Sequence, residues 1–175
     1  AASSDRPSSG PGVTLGPLEV TRSGDRFEYS TVTVEINRMK RTADLTVRGP
    51  DGPQPSDAKA MLALGDQYWP LRAFRELDAA LLHLRLNEPE IGIVVLKTQG
   101  DREAVLAIDR TLASHRDHWL AREILHFMKR TLKRLDLTAK SFIALIEPGS
   151  CFAGALLELA LAADQSFMLD DPDHP

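Results

Sequence analysis

The chain has a single cysteine, Cys151, so no disulfide can form within it and a reducing compartment, the cytoplasm, is expected. No apolar run is long enough to cross a bilayer, and the first residues lack the apolar core of a secretory signal. Acidic residues outnumber basic ones, and the net charge of -4 argues against a nucleic acid as partner. These absences predict a soluble protein that acts on neither membranes nor nucleic acids.

What is present indicates one globular domain. Of the 175 residues, 43% are hydrophobic and 26% charged, which is enough apolar material for a core. Residues 1–25 begin with a Ser/Pro/Gly-rich stretch and are expected to be disordered or extended. Residues 26–175 form the predicted domain. It is expected to be incomplete at its C-terminus, because the strand-like run SFML leads directly into the polar ending DDPDHP.

Strands and helices alternate along this domain. Short β-branched or apolar runs predict strands at 27–36, 43–47, 91–98, 141–148 and 166–169. Apolar residues at helical spacing predict helices at 70–87, 119–135 and 152–162. The strand at 91–98 is almost wholly apolar, which is typical of a parallel sheet covered on both faces. The pattern predicts an α/β fold with right-handed crossovers.

A carboxylate interrupts the most apolar of these helices. The stretch EPGSCFAGALLELALAAD ends a strand, turns at Gly149-Ser150 and begins a helix near Gly154. Amide groups at a helix start can hold an anionic oxygen, and a glycine there lets a ligand approach the backbone. Glu158 follows Ala155 on the same side of the helix and could move a proton. By spacing alone, a structural cap or pair, or a position that faces water, is favoured for Glu158 over a catalytic role.

Other kinds of site are less well supported by the residue pattern. Ser150 and Cys151 lie in the turn, but GSCFAG lacks the G-x-S-x-G spacing of a nucleophile elbow, so plain hydrogen bonding and packing compete with a nucleophilic role. His115 and His118 flank Asp117 without metal-ligand spacing and favour a solvated helix start. No metal site, phosphate loop or dinucleotide motif is predicted.

The ordered set of motifs resembles the crotonase (enoyl-CoA hydratase/isomerase) superfamily. EPGSCFAGALLELALAAD is similar to its signature turn and helix, VTVEINRMK to its first strand, and GDREAVLAIDRTL takes the place of its F-A-A-G-A-D loop. The resemblance covers about residues 27–164. It implies a crotonase-like ββα superhelix and an enzyme that acts on a CoA thioester. Beyond the CoA of its substrate, such an enzyme needs no cofactor.

The resemblance also implies catalytic roles. The backbone N–H groups of Ala155 and Leu106 would polarise the thioester carbonyl, and Glu158 matches the family's first catalytic glutamate. A second catalytic glutamate would fall about a helix and a strand further on, where this sequence ends. Preorganised donors of this kind lower the barrier to enolate formation by about 3–4 kcal/mol each.

Other positions are expected to contact the substrate. Arg38 and Lys40 are candidates for the adenosine phosphate of CoA because they are basic and follow the first strand. Gly154, Asp109 and Ala107 are predicted from the matched motifs. The full set of predicted substrate-binding residues is Gly154, Asp109, Ala107, Arg38 and Lys40. The acyl-CoA hypothesis requires that the amides of residues 152–155 are free and that the Glu158 carboxylate points to the same place.

Within the superfamily, EPGSCFAG, ASHRDHW and the long loop after the second strand resemble the acyl-CoA lyases of aerobic benzoate degradation. Those members open the oxygenated ring of benzoyl-CoA epoxide or dihydrodiol and release formate. Two alternatives stay open: an enoyl-CoA hydratase or isomerase of the same fold, and a non-catalytic module that uses the fold for oligomerisation. The resemblance also implies a homo-oligomer, because its members associate through helices.

Overall fold

A computed structural model describes residues 10–170, so the Ser-rich start and the final DPDHP lie outside it. The strands are β1 (Thr21–Ser23), β2 (Arg26–Glu28), β3 (Val32–Asn37), β4 (Thr42–Arg48), β5 (Ile93–Gln99), β6 (Ser141–Ile146) and β7 (Gln165–Met168). The helices are α1 (Ala58–Leu64), α2 (Trp69–Asn87), α3 (Arg102–Ser114), α4 (Trp119–Asp136) and α5 (Gly154–Leu161), with one 3-10 turn at Gly65–Gln67. Within residues 10–170, no helix is long and apolar enough to span a membrane.

Within the described residues, seven strands form one sheet in chain order. The pairs from β1 to β4 are antiparallel, and the pairs from β4 to β7 are parallel. The predicted parallel sheet is therefore present in the second half of the chain. Because β4, β5 and β6 run in the same direction, their carboxyl ends lie at one edge of the sheet, where ligands bind in open α/β sheets.

The core lies on one face of the sheet. Leu45, Leu96 and Ala144 are register partners on neighbouring strands, and each is fully buried. On the other face Val95 and Ile143 are only half-buried, and Lys97 forms a 2.7 Å ion pair with Asp44. The prediction that the parallel strands are covered on both faces is therefore wrong for this structure, because the helices pack against one side.

The predicted strand at 27–36 is in fact two strands. The chain turns at Tyr29–Thr31, and the turn is attached to helix α2 by the buried carboxylate of Glu76. That carboxylate accepts hydrogen bonds from Ser30 Oγ (2.6 Å), Thr31 N (2.7 Å) and Thr31 Oγ1 (2.6 Å). This contact joins the antiparallel half of the sheet to the longest helix.

We expect Glu76→Ala to lower the free energy of unfolding by about 3 kcal/mol, because it removes the buried carboxylate that accepts three hydrogen bonds from Ser30 and Thr31 and pairs with Arg72. Glu123→Ala is the matched control, since Glu123 is exposed on helix α4 and its loss should change stability by less than about 0.5 kcal/mol. Urea denaturation of both variants measures the difference. A loss below about 1 kcal/mol for Glu76→Ala would show that these hydrogen bonds do not support the fold.

Three elements were not predicted from the sequence. Strand β1 pairs with β2, so the sheet begins at Thr21, before the predicted domain start at residue 26. Helix α1 lies in the breaker-rich connection after β4, capped by Asp57, whose side chain accepts from Ala60 N at 2.8 Å. Helix α3 occupies the stretch that the resemblance assigned to a loop, and this has a direct bearing on the site.

Candidate functional site

The edge where β4, β5 and β6 end is built by close backbone contacts. Gly49 N donates to Gln99 O at 2.8 Å, and Gly100 N donates to Gly149 O at 3.0 Å. A Cβ at Gly100 would lie 3.2 Å from Gly49 Cα, and Gly100 has a φ of +141°, which favours glycine. Three successive strand ends are thereby held together, and the loop before helix α5 is fixed against them.

Cys151 fills the space beneath these glycines. Its side chain is fully buried, and its backbone N–H donates to Thr98 Oγ1 at 2.9 Å. Burial raises the pKa of the Cys151 thiol, which disfavours the thiolate that a nucleophile needs. The packing role considered for Cys151 is thus supported, and the nucleophilic role is not.

Helix α5 begins in an unusual conformation. Gly154 has a φ of +48°, in the left-handed region that favours glycine. A Cβ at this position would lie 1.8 Å from Asp109 Oδ2. The carboxylate can therefore sit over the helix start only because residue 154 has no side chain.

Asp109 accepts a hydrogen bond from the backbone N–H of Ala155, with Oδ2 and N 2.6 Å apart. The predicted oxyanion donor is therefore engaged by an acidic side chain from helix α3. The Asp109 carboxylate thus accepts from an amide at a helix start, a position that favours negatively charged oxygen atoms. Burial raises the pKa of the Asp109 carboxyl, and the hydrogen bond from Ala155 offsets part of that rise.

A buried hydroxyl group belongs to the segment packed at the same edge of the sheet. Tyr68 is fully buried just before helix α2, and its hydroxyl has no hydrogen-bond partner among residues 10–170. Burial raises the pKa of Tyr68, and the charge of Asp109 raises it further. The next residue, Trp69, donates from Nε1 to Arg48 O at 3.0 Å, so this part of the chain lies at the same edge of the sheet. No motif in the sequence marked Tyr68 as part of a site.

Leu106 is not positioned as predicted. It lies inside helix α3, where its N–H has the regular intrahelical partner four residues earlier. The prediction of a second backbone oxyanion donor at Leu106 is therefore wrong for this structure. Ala107 is likewise helical, and its carbonyl oxygen accepts from Thr111 Oγ1 at 3.0 Å. The leucine side chain does approach the site, because its Cδ2 would lie 3.5 Å from a Cβ at Gly154.

Glu158 lies on helix α5, one turn after Ala155, and its side chain is exposed. Leu157 and Leu161 on the same helix are exposed too, at 41% and 68%. All residues of strand β7 are exposed, including Phe167. Neither condition set by the acyl-CoA hypothesis is met in this structure: the Ala155 amide is not free, and Glu158 faces solvent beside an uncovered apolar surface.

Arg38 and Lys40 lie at the opposite edge of the sheet. They belong to the turn between β3 and β4, and Gly92 N, just before β5, donates to Arg41 O at 2.9 Å. Strand β4 has 7 residues, so this turn is about 20 Å from the strand ends that carry the site. Arg38 is also paired with Glu88 at 2.8 Å and with Asp25 at 2.7 Å. These two residues therefore lie away from Gly154, and their contact with the adenosine phosphate of CoA stays a prediction.

Metal-binding side chains do not gather in the part of the chain that the structure describes: no group of three or more His, Cys, Asp or Glu could hold an ion. His118, considered as a metal ligand, precedes the first residue of helix α4, in the helix-start position that the sequence favoured.

Comparison with known proteins bears on this site. The chain is 47% identical over 170 residues to benzoyl-CoA-dihydrodiol lyase of Aromatoleum evansii; the match covers 97% of this chain and 31% of that enzyme. The chain thus spans about a third of the length of its relative. No protein-family model matches it.

Among solved structures, an enoyl-CoA hydratase from Geobacillus kaustophilus HTA426 superimposes with a TM-score of 0.50 at 19% identity, covering 87% of this chain and 48% of that one. An enoyl-CoA hydratase/isomerase family protein from Silicibacter pomeroyi gives a TM-score of 0.42 at 14% identity, covering 78% and 51%. The predicted α/β crotonase fold and the resemblance on which it was based are both confirmed.

Proposed function

We propose that this chain, which has the crotonase fold and a benzoyl-CoA-dihydrodiol lyase as a sequence relative, is part of an acyl-CoA lyase that opens the oxygenated ring of benzoyl-CoA epoxide or dihydrodiol and releases formate. The observation that carries the proposal is the 47% identity over 170 residues, which includes the whole turn and helix around Gly154. The fold supports a CoA thioester as the substrate class. Because the relative is longer than this chain, the activity is proposed for the full natural protein.

The chemistry would centre on the Ala155 N–H. Negative charge develops on the thioester oxygen as the α-carbon becomes an enolate, and an amide at a helix start stabilises that charge. Glu158, three residues further along the helix, would transfer the proton or direct the attacking water. In this structure Asp109 Oδ2 occupies that amide at 2.6 Å, so the proposed role requires that a substrate oxygen displace the carboxylate.

The test is formate release by the full natural protein supplied with oxygenated benzoyl-CoA, with crotonyl-CoA hydration measured in parallel. We expect formate from the first substrate and a much slower reaction with the second. Hydration of crotonyl-CoA without formate release would favour the enoyl-CoA hydratase alternative. Activity on neither substrate would favour the non-catalytic module. Homo-oligomerisation, which the resemblance implies, and a cytoplasmic location, inferred from the single cysteine, stay predictions.

A further inference from the structure

At the start of helix α5 one donor, the Ala155 N–H, would have to serve two acceptors, the Asp109 carboxylate and a substrate oxygen. The Ala155 N–H is bound to Asp109 Oδ2 at 2.6 Å, so a substrate oxygen must displace the carboxylate before it can use this donor. A displaced carboxylate would be partly buried and without its hydrogen bond, which is unfavourable unless another donor takes over.

Such a donor is present nearby. The Tyr68 hydroxyl is buried and unpartnered among residues 10–170, and buried hydroxyl groups are rarely left without a hydrogen bond. Packing contacts connect the two groups. Trp69, next to Tyr68, bonds Arg48 O, and the following residue, Gly49, packs against Cys151 Sγ, three residues before Gly154. Both lie at the edge where the parallel strands end, since Trp69 is anchored to Arg48 O and Asp109 contacts the helix after β6.

We propose that Asp109 is a two-position residue: its carboxylate accepts from the Ala155 N–H in the empty site and turns to the Tyr68 hydroxyl when a thioester oxygen takes that N–H. Tyr68 is then a positioning residue that makes the oxyanion donor available, although it does not touch the substrate. Gly154 is required for the first position, because any Cβ would overlap the carboxylate. This inference rests on the proposed acyl-CoA function and adds the way in which the site is opened.

The experiment measures how much the contact with the thioester carbonyl contributes to binding, apart from the other contacts of the ligand. Binding of benzoyl-CoA, a thioester, and of S-benzyl-CoA, a thioether without the carbonyl oxygen, is measured by calorimetry on the full natural protein. We expect Tyr68→Phe to weaken thioester binding about tenfold or more and to leave thioether binding unchanged. The melting temperature of the ligand-free variant should equal or exceed that of the wild type, because the hydroxyl has no partner in the empty state.

A double-mutant cycle makes the test specific. In an Asp109→Ala background no carboxylate has to move, so Tyr68→Phe should no longer change thioester binding. Tyr29→Phe, which alters the other tyrosine of this chain, is the control and should change neither affinity. Equal weakening of both ligands by Tyr68→Phe, no weakening of either, or the same weakening in the Asp109→Ala background would overturn the inference. A wild-type protein that binds neither ligand would instead overturn the proposed function and, with it, this inference.

Discussion

Gly154→Ala is expected to destabilise the domain by about 3 kcal/mol and to reduce formate release about a hundredfold. Its Cβ would lie 1.8 Å from Asp109 Oδ2, far inside van der Waals contact, and alanine at a φ of +48° adds about 1–2 kcal/mol of backbone strain. The side chain of Asp109 must leave, or the first turn of helix α5 must shift. A shift of that turn moves the Ala155 N–H, and a displacement of about 1 Å can reduce catalysis a hundredfold.

Gly92→Ala is the matched control for this substitution. A Cβ at Gly92 meets nothing within 4 Å, and its φ lies outside the left-handed region. We expect its stability to change by less than about 0.5 kcal/mol and its activity to stay at the wild-type level. Thermal and urea denaturation with the formate assay compare the two variants. A Gly154→Ala protein as stable and active as Gly92→Ala would mean that the carboxylate does not sit over the helix start in solution.

Glu158→Gln is expected to reduce kcat by about 10²–10⁴-fold while leaving the fold intact. General acid–base catalysis by one positioned group contributes a factor of this size, and glutamine keeps the shape but cannot transfer a proton. Stability should hardly change, because the Glu158 side chain is exposed in this structure. A large loss of activity without loss of stability is therefore the signature of a chemical role rather than a structural one.

Glu147→Gln provides the comparison for Glu158, because it alters an exposed carboxylate in the loop that precedes the same helix. We expect its kcat to stay within about twofold of the wild type, since surface substitutions away from special contacts have small effects. Steady-state formate release gives kcat and KM for both variants. If Glu158→Gln also retained wild-type kcat, the exposed position of Glu158 would reflect its true environment, and a different acid would have to be sought.

Much of the fold followed from local patterns. The sequence predicted helices α2, α4 and α5 and the parallel strands. Their apolar residues repeat at a clear period, because the residues that repeat are those that face the core. Helix α3 was assigned to a loop by resemblance, although Asp101 accepts from Glu103 N as a cap and Val105, Ile108 and Leu112 share its buried face. Those signals were available in the sequence and were outweighed by the motif comparison.

The site was less predictable because it depends on contacts between distant parts of the chain. Ala155 and Asp109 are 46 residues apart, and no local pattern shows that the carboxylate of one binds the amide of the other. Tyr68 carries no motif at all. Arg38 was chosen because it is basic and follows a strand, but local sequence did not show that this strand is antiparallel to β4, so that Arg38 lies at the other edge.

Strand β4 is where the sheet changes from antiparallel to parallel pairing. The loops at the two edges of the sheet therefore differ in how well they tolerate insertions. Loops 49–57, 100–101 and 147–153 follow parallel strands. An insertion next to Gly49, Gly100 or Cys151 would disturb the contacts that these three residues make with one another. The turn between β3 and β4 is remote from them, and Met39 at its tip is 97% exposed. Exposed loop tips accept insertions well. A fluorescent label or an affinity tag placed at this turn should therefore report on the protein without perturbing its chemistry.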